Sequence, residues 1–456
     1  MMQTDKDPIV AIATASGRGA IGIVRLSFDE QWNDKILTTL FPDQKIQPRH
    51  AHLLPIQDAR GNTLDHGIVL FFPCPHSYTG ESVLEIQVHG GTVLLQMVLQ
   101  NVLQQCAEIG MRMARAGEFT ERAFMNGRLD LAQAEAVADL IDATSTSAAY
   151  AATRSLTGEF SKRVSVIGNE LNELRAYIEA ILDFPEEELD NLRIGRIFER
   201  LEHLQSRLIT LISQAHQGKI LREGLNIALV GRPNVGKSSL MNYLAGDEVA
   251  IVTDIAGTTR DRIEHWVSLN GIPLCLIDTA GVRETEDIVE KKGIERTFQA
   301  IAKADIVLHL VDATGTIDDG SAVLERVLQH TRSDVKLLTI ANKIDLNPSY
   351  QCRPNELGIS VRTGRGIRAL QATLLRLVGM TSSPEGLFMA RERHMQCLQK
   401  ASHHVLQAVE LSHCGGGLEL LAEELRCAGI AMGEILGEVS SDDILGMIFS
   451  KFCIGK

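Results

Sequence analysis

Gly231-Arg-Pro-Asn-Val-Gly236-Lys237-Ser238 is the stretch that decides the fold. It matches GxxxxGK[ST], follows the apolar run LNIALVG (225–231) and precedes a helical pattern, which is the context the motif requires. Its glycines let backbone N–H groups wrap phosphates, and a helix N-terminus favours anions. The phosphate-side contacts expected are Asn234, Val235, Gly236, Lys237, Ser238 and Ser239. Lys237 would reach the β- and γ-phosphates, and Ser238 would hold Mg²⁺.

Three further signals follow in order. Asp278-Thr279-Ala280-Gly281 ends the apolar run LCLID; Asp278 would sit behind the Mg²⁺ shell and the Gly281 N–H could touch the γ-phosphate. Asn342-Lys343-Ile344-Asp345 ends another run. The Asp345 carboxylate can accept from N1 and N2 of guanine, and adenine lacks the N2 donor, so the pattern selects GTP over ATP. Ser360-Val361-Arg362 takes the place of a last guanine loop. The ensemble resembles the GTPase superfamily. Ras-type enzymes place a water-orienting Gln just after DTAG, but Val282 stands there. Arg260, Arg262 and Arg283 lie nearby, and none is an evident arginine finger.

The stretch Ile251-Val252-Thr253-Asp254-Ile255-Ala256-Gly257-Thr258-Thr259-Arg260-Asp261 resembles switch I of the MnmE/TrmE family of tRNA-modification GTPases. The resemblance implies a K⁺ ion held against the phosphates by Asn234, Thr253, Ile255 and Thr258, with Thr259 completing the Mg²⁺ shell. A monovalent cation there offsets charge developing between the β- and γ-phosphates. The family's water-orienting glutamate matches Glu290, which by its surroundings alone would read as a surface residue paired with Lys291 or Lys292.

Working outward, residues 222–380 alternate strand and helix, with DIVLHLVDA (305–313) and KLLTIANKID (336–345) as further strand-to-loop units. That is a mostly parallel, doubly wound sheet. Before it, Val164, Ile167, Leu171, Leu174, Ile178 and Ile181 step by three and four, as do Ile197, Leu201, Leu204, Leu208 and Leu211, which predicts long amphipathic helices. After TSSPEG (381–386), Leu418, Leu421 and Leu425 share a helical face. Near the N-terminus PIVAIAT (8–14), IGIVRLS (21–27), GIVLFF (67–72) and SVLEIQV (82–88) read as strands, with a helix over 92–106. The expected architecture is an α+β N-terminal domain (1–128), an α-helical bundle domain (129–221 and 381–456) and an inserted α/β P-loop GTPase domain of Ras-like type (222–380). Three domains suit 456 residues at about 150 each.

A charged fraction of 23% and an apolar fraction of 45% exclude bulk disorder. The net charge of −13 argues against broad, unspecific nucleic-acid binding but leaves room for a local basic patch. Eight cysteines form no CxxC pair, so no zinc site is expected, and the scatter suggests a reducing cytosol. No apolar run reaches the length of a membrane span, and no leader is evident, so a cytoplasmic protein without membrane contact is expected. The CIGK ending places a cysteine four from the end, but Gly455 and Lys456 do not suit prenylation. His89-Gly90-Gly91 resembles a lipase oxyanion turn, yet no GxSxG occurs.

The MnmE resemblance extends over the whole chain, through SYTGESVLEIQVHGG (77–91), AGEFTERAFMNGRLDLAQAEAVADLIDA (116–143) and SSDDILGMIFSKFCIGK (440–456). It implies an N-terminal domain that binds 5-formyl- or 5,10-methylene-tetrahydrofolate and forms a homodimer. It also implies an FAD-dependent partner, MnmG (GidA), in a heterotetramer-like complex. Together they would add a (carboxymethyl)aminomethyl group to C5 of the wobble uridine of tRNA. The folate contacts carry over to Arg25, Glu85, Arg128 and Lys456, where Arg128 replaces a common Lys by a fork. Cys453 is a candidate nucleophile, with a structural thiol as the alternative. The competing reading is a ribosome-assembly switch like Era or Der. Residues 387–456, however, hold no GxxG clamp and nine acidic against six basic residues, and there is no second P-loop.

Overall fold

The computed structural model describes residues 6–183, 191–246, 264–269, 271–278, 298–315, 321–332, 335–380, 386–414, 417–438, 442–450 and 452–455. The chain forms two compact units, Met1–Ala138 with Gly433–Lys456, and Asp139–Met432. Residues 381–456 therefore contribute to both.

The first unit is built on strands β1 (Ile9–Ile12), β2 (Ile21–Phe28), β3 (His52–Gln57), β4 (Thr63–Phe72), β5 (Ser82–His89) and β6 (Arg112–Met113), ordered β3-β4-β5-β2-β1-β6. All neighbours are antiparallel except β1 and β6. Alternation sorts the side chains. Val24, Leu26 and Phe28 join Leu84, Ile86 and Val69 in a core that also takes in Leu95, Val98 and Leu99 of the helix Thr92–Gln105. Ile9 and Ala11 pack with Phe119 of the helix Glu118–Met125 in a second, smaller core. β3 and β6 escape the sequence reading: β3 carries a proline and β6 has only two residues. The His-Gly-Gly turn has a steric origin, since a Cβ on Gly90 would fall 2.6 Å from the Gly19 carbonyl oxygen.

An ion cluster lies buried in this unit. Arg112 grips Glu118 with two bonds of 2.9 and 2.7 Å. Arg122 adds a third at 3.1 Å and also reaches Glu81 at 2.8 Å. Burial would raise the Glu118 pKa, but the Arg112 hydrogen bonds, the Arg115 N–H and the neighbouring guanidinium charges outweigh it and hold the carboxyl at about 2. The helix Asp442–Phe449 completes the unit, with Leu445, Ile448 and Phe449 buried against Leu131 and Ala134.

In the second unit the predicted periodic residues line the inner faces of the helices Glu159–Asp183 and Asn191–Glu223, and all but Ile181 are buried. The buried Asp139 accepts from Arg222 at 2.8 Å and Arg391 at 2.7 Å, joining distant parts of the chain. Strands β7 (Leu225–Val230), β8 (Glu264–Leu269), β9 (Ile272–Asp278), β10 (Ile306–Asp312), β11 (Lys336–Asn342) and β12 (Glu356–Gly358) are ordered β12-β11-β10-β7-β9-β8. Only the β8–β9 pair is antiparallel.

Helices and sheet share one core. Ala148, Ala151, Ala152, Ile220 and Leu221 pack in the same cluster as Ile227, Leu274 and Leu308. Ser145 marks the seam: its hydroxyl caps the helix Thr146–Leu156 by accepting from the Ala148 N–H at 3.2 Å, and donates to the Gly271 carbonyl at 2.7 Å. Among the described residues no helix is long and apolar enough to cross a membrane.

Candidate functional site

β7 has β9 on one side and β10 on the other, so the connections leave it in opposite directions. A crevice beyond the carboxyl ends of the strands is expected at such a point. The loop 231–236 sits there, between β7 and the helix Lys237–Gly246. Its backbone is forced: φ is +151° at Gly231, +63° at Asn234 and +107° at Gly236. A Cβ on Gly231 would lie 2.5 Å from the Leu310 carbonyl, and one on Gly236 2.2 Å from Asn342 Nδ2. Only glycine meets both demands.

The Lys237 side chain is buried and its ammonium donates to the carbonyls of Gly231 at 2.7 Å and Arg232 at 3.0 Å. The charge is thereby drawn back over the loop that the helix N-terminus also addresses. Ser238 and Ser239 are exposed in the first helical turn, and Asn234 is exposed on the loop. Asp278 ends β9 opposite Leu229 of β7, and Ser238 lies in the helix that follows the loop after β7. Oxygen donors of that kind suit Mg²⁺.

The guanine-side motif converges on the same loop. Asn342 is buried; its amide donates to the Val235 carbonyl at 2.9 Å and its oxygen accepts from the Val361 N–H at 3.3 Å. One side chain thus ties the phosphate loop to the segment after β12. Lys343 adopts φ +67° and its ammonium bonds Asp312 at 2.6 Å. Burial opposes the Asp312 carboxylate, but hydrogen bonds from Lys343 and Thr314 outweigh it and keep its pKa below the ordinary range. Asp345 is half-buried. Ser360 is fully buried and its hydroxyl accepts from the Thr363 N–H at 3.2 Å, holding the turn that carries the exposed Arg362. Asp312 escaped the sequence reading, although it closes the strand run 305–313; only the fold reveals it as the partner of Lys343.

Thr253, Asp254, Ile255, Ala256, Gly257, Thr258, Thr259, Thr279, Ala280, Gly281 and Glu290 lie outside the described residues, as does Lys456. Of the K⁺ ligand set only Asn234 is described.

The second candidate site lies in the first unit. Arg25 and Glu85 are cross-strand partners on β2 and β5, joined by bonds of 2.9 and 2.8 Å. Such a pair contributes about 0.2–1 kcal/mol, so the apolar faces hold the sheet. The Arg25 guanidinium lies 5.8 Å from the Tyr78 ring and 5.9 Å from Phe119. The loop that carries Tyr78 continues to Gly80, where a Cβ would come 3.2 Å from Arg128 Cγ, so one loop touches both arginines. The C-terminal tail docks near the end of β1: Ile454 bridges Ala116, and a Cβ on Gly455 would lie 2.2 Å from the Ile12 carbonyl. Cys453 is exposed there, and its carbonyl accepts from the Gly117 N–H.

The family model of the GTP-binding protein TrmE N-terminus matches residues 8–128, and that of the MnmE helical domain matches 131–453. The chain belongs to the MnmE family of tRNA modification GTPases. The MnmE of Bordetella petrii is 50% identical over 98% of both chains. That of Burkholderia orbicola is 48% identical over the full length of both. Among solved structures, the FeoB G domain of Methanococcus jannaschii is 25% identical, covering 34% of this chain and 97% of its own, with a TM-score of 0.26. The MnmE helical match spans the sheet of β7–β12.

Proposed function

We propose that this MnmE-family chain hydrolyses GTP to GDP and phosphate, and that the hydrolysis serves modification of the tRNA wobble uridine. The observation that carries this reading is the Asn342 side chain, which joins the phosphate loop at Val235 to the guanine-side segment at Val361. A guanine nucleotide bound across that junction would meet both segments. Asp345 accepts from the guanine edge, Ser360, Val361 and Arg362 close over the base, and residues 234–239 with Lys237 hold the phosphates. Thr279, Ala280 and Gly281 would serve as contacts on the γ-phosphate side.

Mg²⁺ would be held by Ser238 and Thr259, with Asp278 behind, and K⁺ by Asn234, Thr253, Ile255 and Thr258. Both supply positive charge where the phosphates gain negative charge. Glu290 orients the attacking water, and Lys237 neutralises the phosphates. Asp254, Ala256 and Gly257 would add to the nucleotide contacts. The domain partition that goes with this reading is 1–128, 129–221, 222–380 and 381–456, the third inserted in the helical domain.

A reduced folate, 5-formyl- or 5,10-methylene-tetrahydrofolate, fits the Arg25–Glu85 pair. A carboxylate can face the amino edge of a pterin while Arg25, Arg128 and Lys456 meet the anionic tail. The Tyr78 ring beside the Arg25 guanidinium suits a flat heterocycle. The folate supplies the one-carbon unit. Cys453, exposed on the tail, is the candidate nucleophile toward the pyrimidine. The working assembly is a homodimer with the FAD-dependent MnmG in the cytoplasm.

The test combines the chain with its flavoprotein partner, tRNA, reduced folate, ammonium or glycine as the amine donor, and GTP in K⁺ or Na⁺ buffer. GTP turnover rises many-fold in K⁺, and wobble nucleosides gain the expected mass only in the complete mixture. Equal turnover in both salts overturns the K⁺ assignment. Unmodified tRNA in the complete mixture overturns the coupling.

A further inference from the structure

We propose that the arginine face formed by Arg353, Arg365, Arg368 and Arg376 docks the phosphate backbone of the RNA substrate. This rests on the reading of tRNA as the substrate. Residues 346–380 hold five arginines, no lysine and one acid, Glu356. The segment carries +4 in a chain of −13, so the remainder carries −17. All five guanidinium-bearing residues are exposed.

These arginines differ from most others in the protein. Arg112, Arg122, Arg207, Arg222 and Arg391 each hold a carboxylate. Among the described residues none of Arg353, Arg362, Arg365, Arg368 and Arg376 has a carboxylate within ion-pair distance. The one nearby acid is engaged elsewhere: Glu356 accepts from Tyr350 Oη at 3.0 Å and from the backbone N–H of Arg353 at 2.7 Å. Exposed, unpaired guanidinium forks match phosphate oxygens, and each brings up to five donors.

The fold gathers them at one edge. β12 is the outermost strand of its sheet. A Cβ on Gly358 of β12 would meet Cys352 Sγ at 2.8 Å, and one on Gly366 would meet the Gly358 carbonyl at 2.3 Å. The chain therefore returns close to Gly358 both before and after β12, with Arg353 and Arg365 next in sequence to those contacts. Arg368 and Arg376 stand two turns apart on the helix Ile367–Leu377, roughly 12 Å along its axis. The exposed Ala372 lies between them, and Ile367, Leu370 and Leu374 are buried behind. The outcome is a cationic strip with a small residue at its centre, which lets a backbone approach.

The strip does not resemble a protein-binding surface, because such surfaces centre on apolar and aromatic anchors. Leu346 is the one large exposed hydrophobic side chain of the segment. A local patch also resolves how an acidic chain engages a polyanion: affinity comes from released counterions at a few phosphates.

The test replaces the four together (R353Q, R365Q, R368Q and R376Q) and leaves Arg362, which belongs to the guanine site. Binding of labelled tRNA is followed by anisotropy from 50 to 200 mM KCl. The expected result is at least a tenfold weaker Kd at about 100 mM salt and a salt slope shallower by roughly 3, at about 0.7–0.9 per phosphate contact. GTP turnover without tRNA stays unchanged, and four lysines in place of the arginines restore most of the slope. Unchanged affinity and slope overturn the proposal alone. A wild-type chain without measurable tRNA binding overturns the tRNA reading with it. Loss of an acidic protein partner at unaltered tRNA affinity assigns the face to protein and overturns it too.

Discussion

The two six-stranded sheets put charge to use in different places. In β7–β12 the chemistry sits on loops at strand ends, where parallel strands release the chain into helices. In β1–β6 the proposed ligand pair sits in mid-strand, where antiparallel neighbours bring Arg25 opposite Glu85. Loop sites are contiguous in sequence and leave motifs. Cross-strand sites are assembled from residues 60 apart and leave none. The difference teaches that a parallel sheet advertises its site, whereas an antiparallel one hides it in the register.

The largest expected effect tests how far the first unit depends on buried charge. Glu118→Gln removes the carboxylate that Arg112 and Arg122 share and leaves Arg122 only Glu81, and breaking such a buried pair costs about 3–5 kcal/mol. Denaturant unfolding reads it. The Glu118 pKa lies at about 2, below the ordinary 4.5. Its stabilisation is therefore complete above pH 4.5 and is lost as pH falls toward 2. The variant should show a flatter acid limb; an unaltered limb would place the acid sensitivity elsewhere.

Next comes the loop-borne site. Asp345→Asn exchanges an acceptor pair for one acceptor and one donor. GTP affinity should drop roughly 100-fold, since sites built around a hydrogen bond reject a mismatch strongly. A xanthine nucleotide, with a carbonyl in place of the N2 amine, should bind the variant better than GTP does. Competition titration decides it, and equal guanine affinity would remove Asp345 from the base site.

The smallest effect probes the seam between helices and nucleotide sheet. Ser145→Ala removes a helix cap and the bond to the Gly271 carbonyl. The expected loss is about 1 kcal/mol, typical of an N-cap, seen as a modest fall in Tm. No change would mean that the shared apolar core alone fixes this junction.

Much of this was legible in sequence for physical reasons. GRPNVGKS (231–238) demands φ values that few residues adopt, so its spelling gives away its conformation. The three-and-four spacing of Val164 to Ile178 gives away a buried helical stripe. β8 and β12 left weak traces: β8 adjoins a glycine turn, and β12 has three residues. The Lys343–Asp312 bond joins two strands whose pairing no local pattern announces.

By itself the sequence determined what is local: the phosphate loop, the guanine-reading motif, the helical stripes and the family. Tertiary structure alone decided what depends on long-range approach. It turned Asn342 into a bridge between two loops, set Arg25 against Glu85, and gathered unpaired arginines along one sheet edge. The reason is that backbone conformation is encoded residue by residue, whereas the partner of a charged side chain is fixed only once strands and helices have packed.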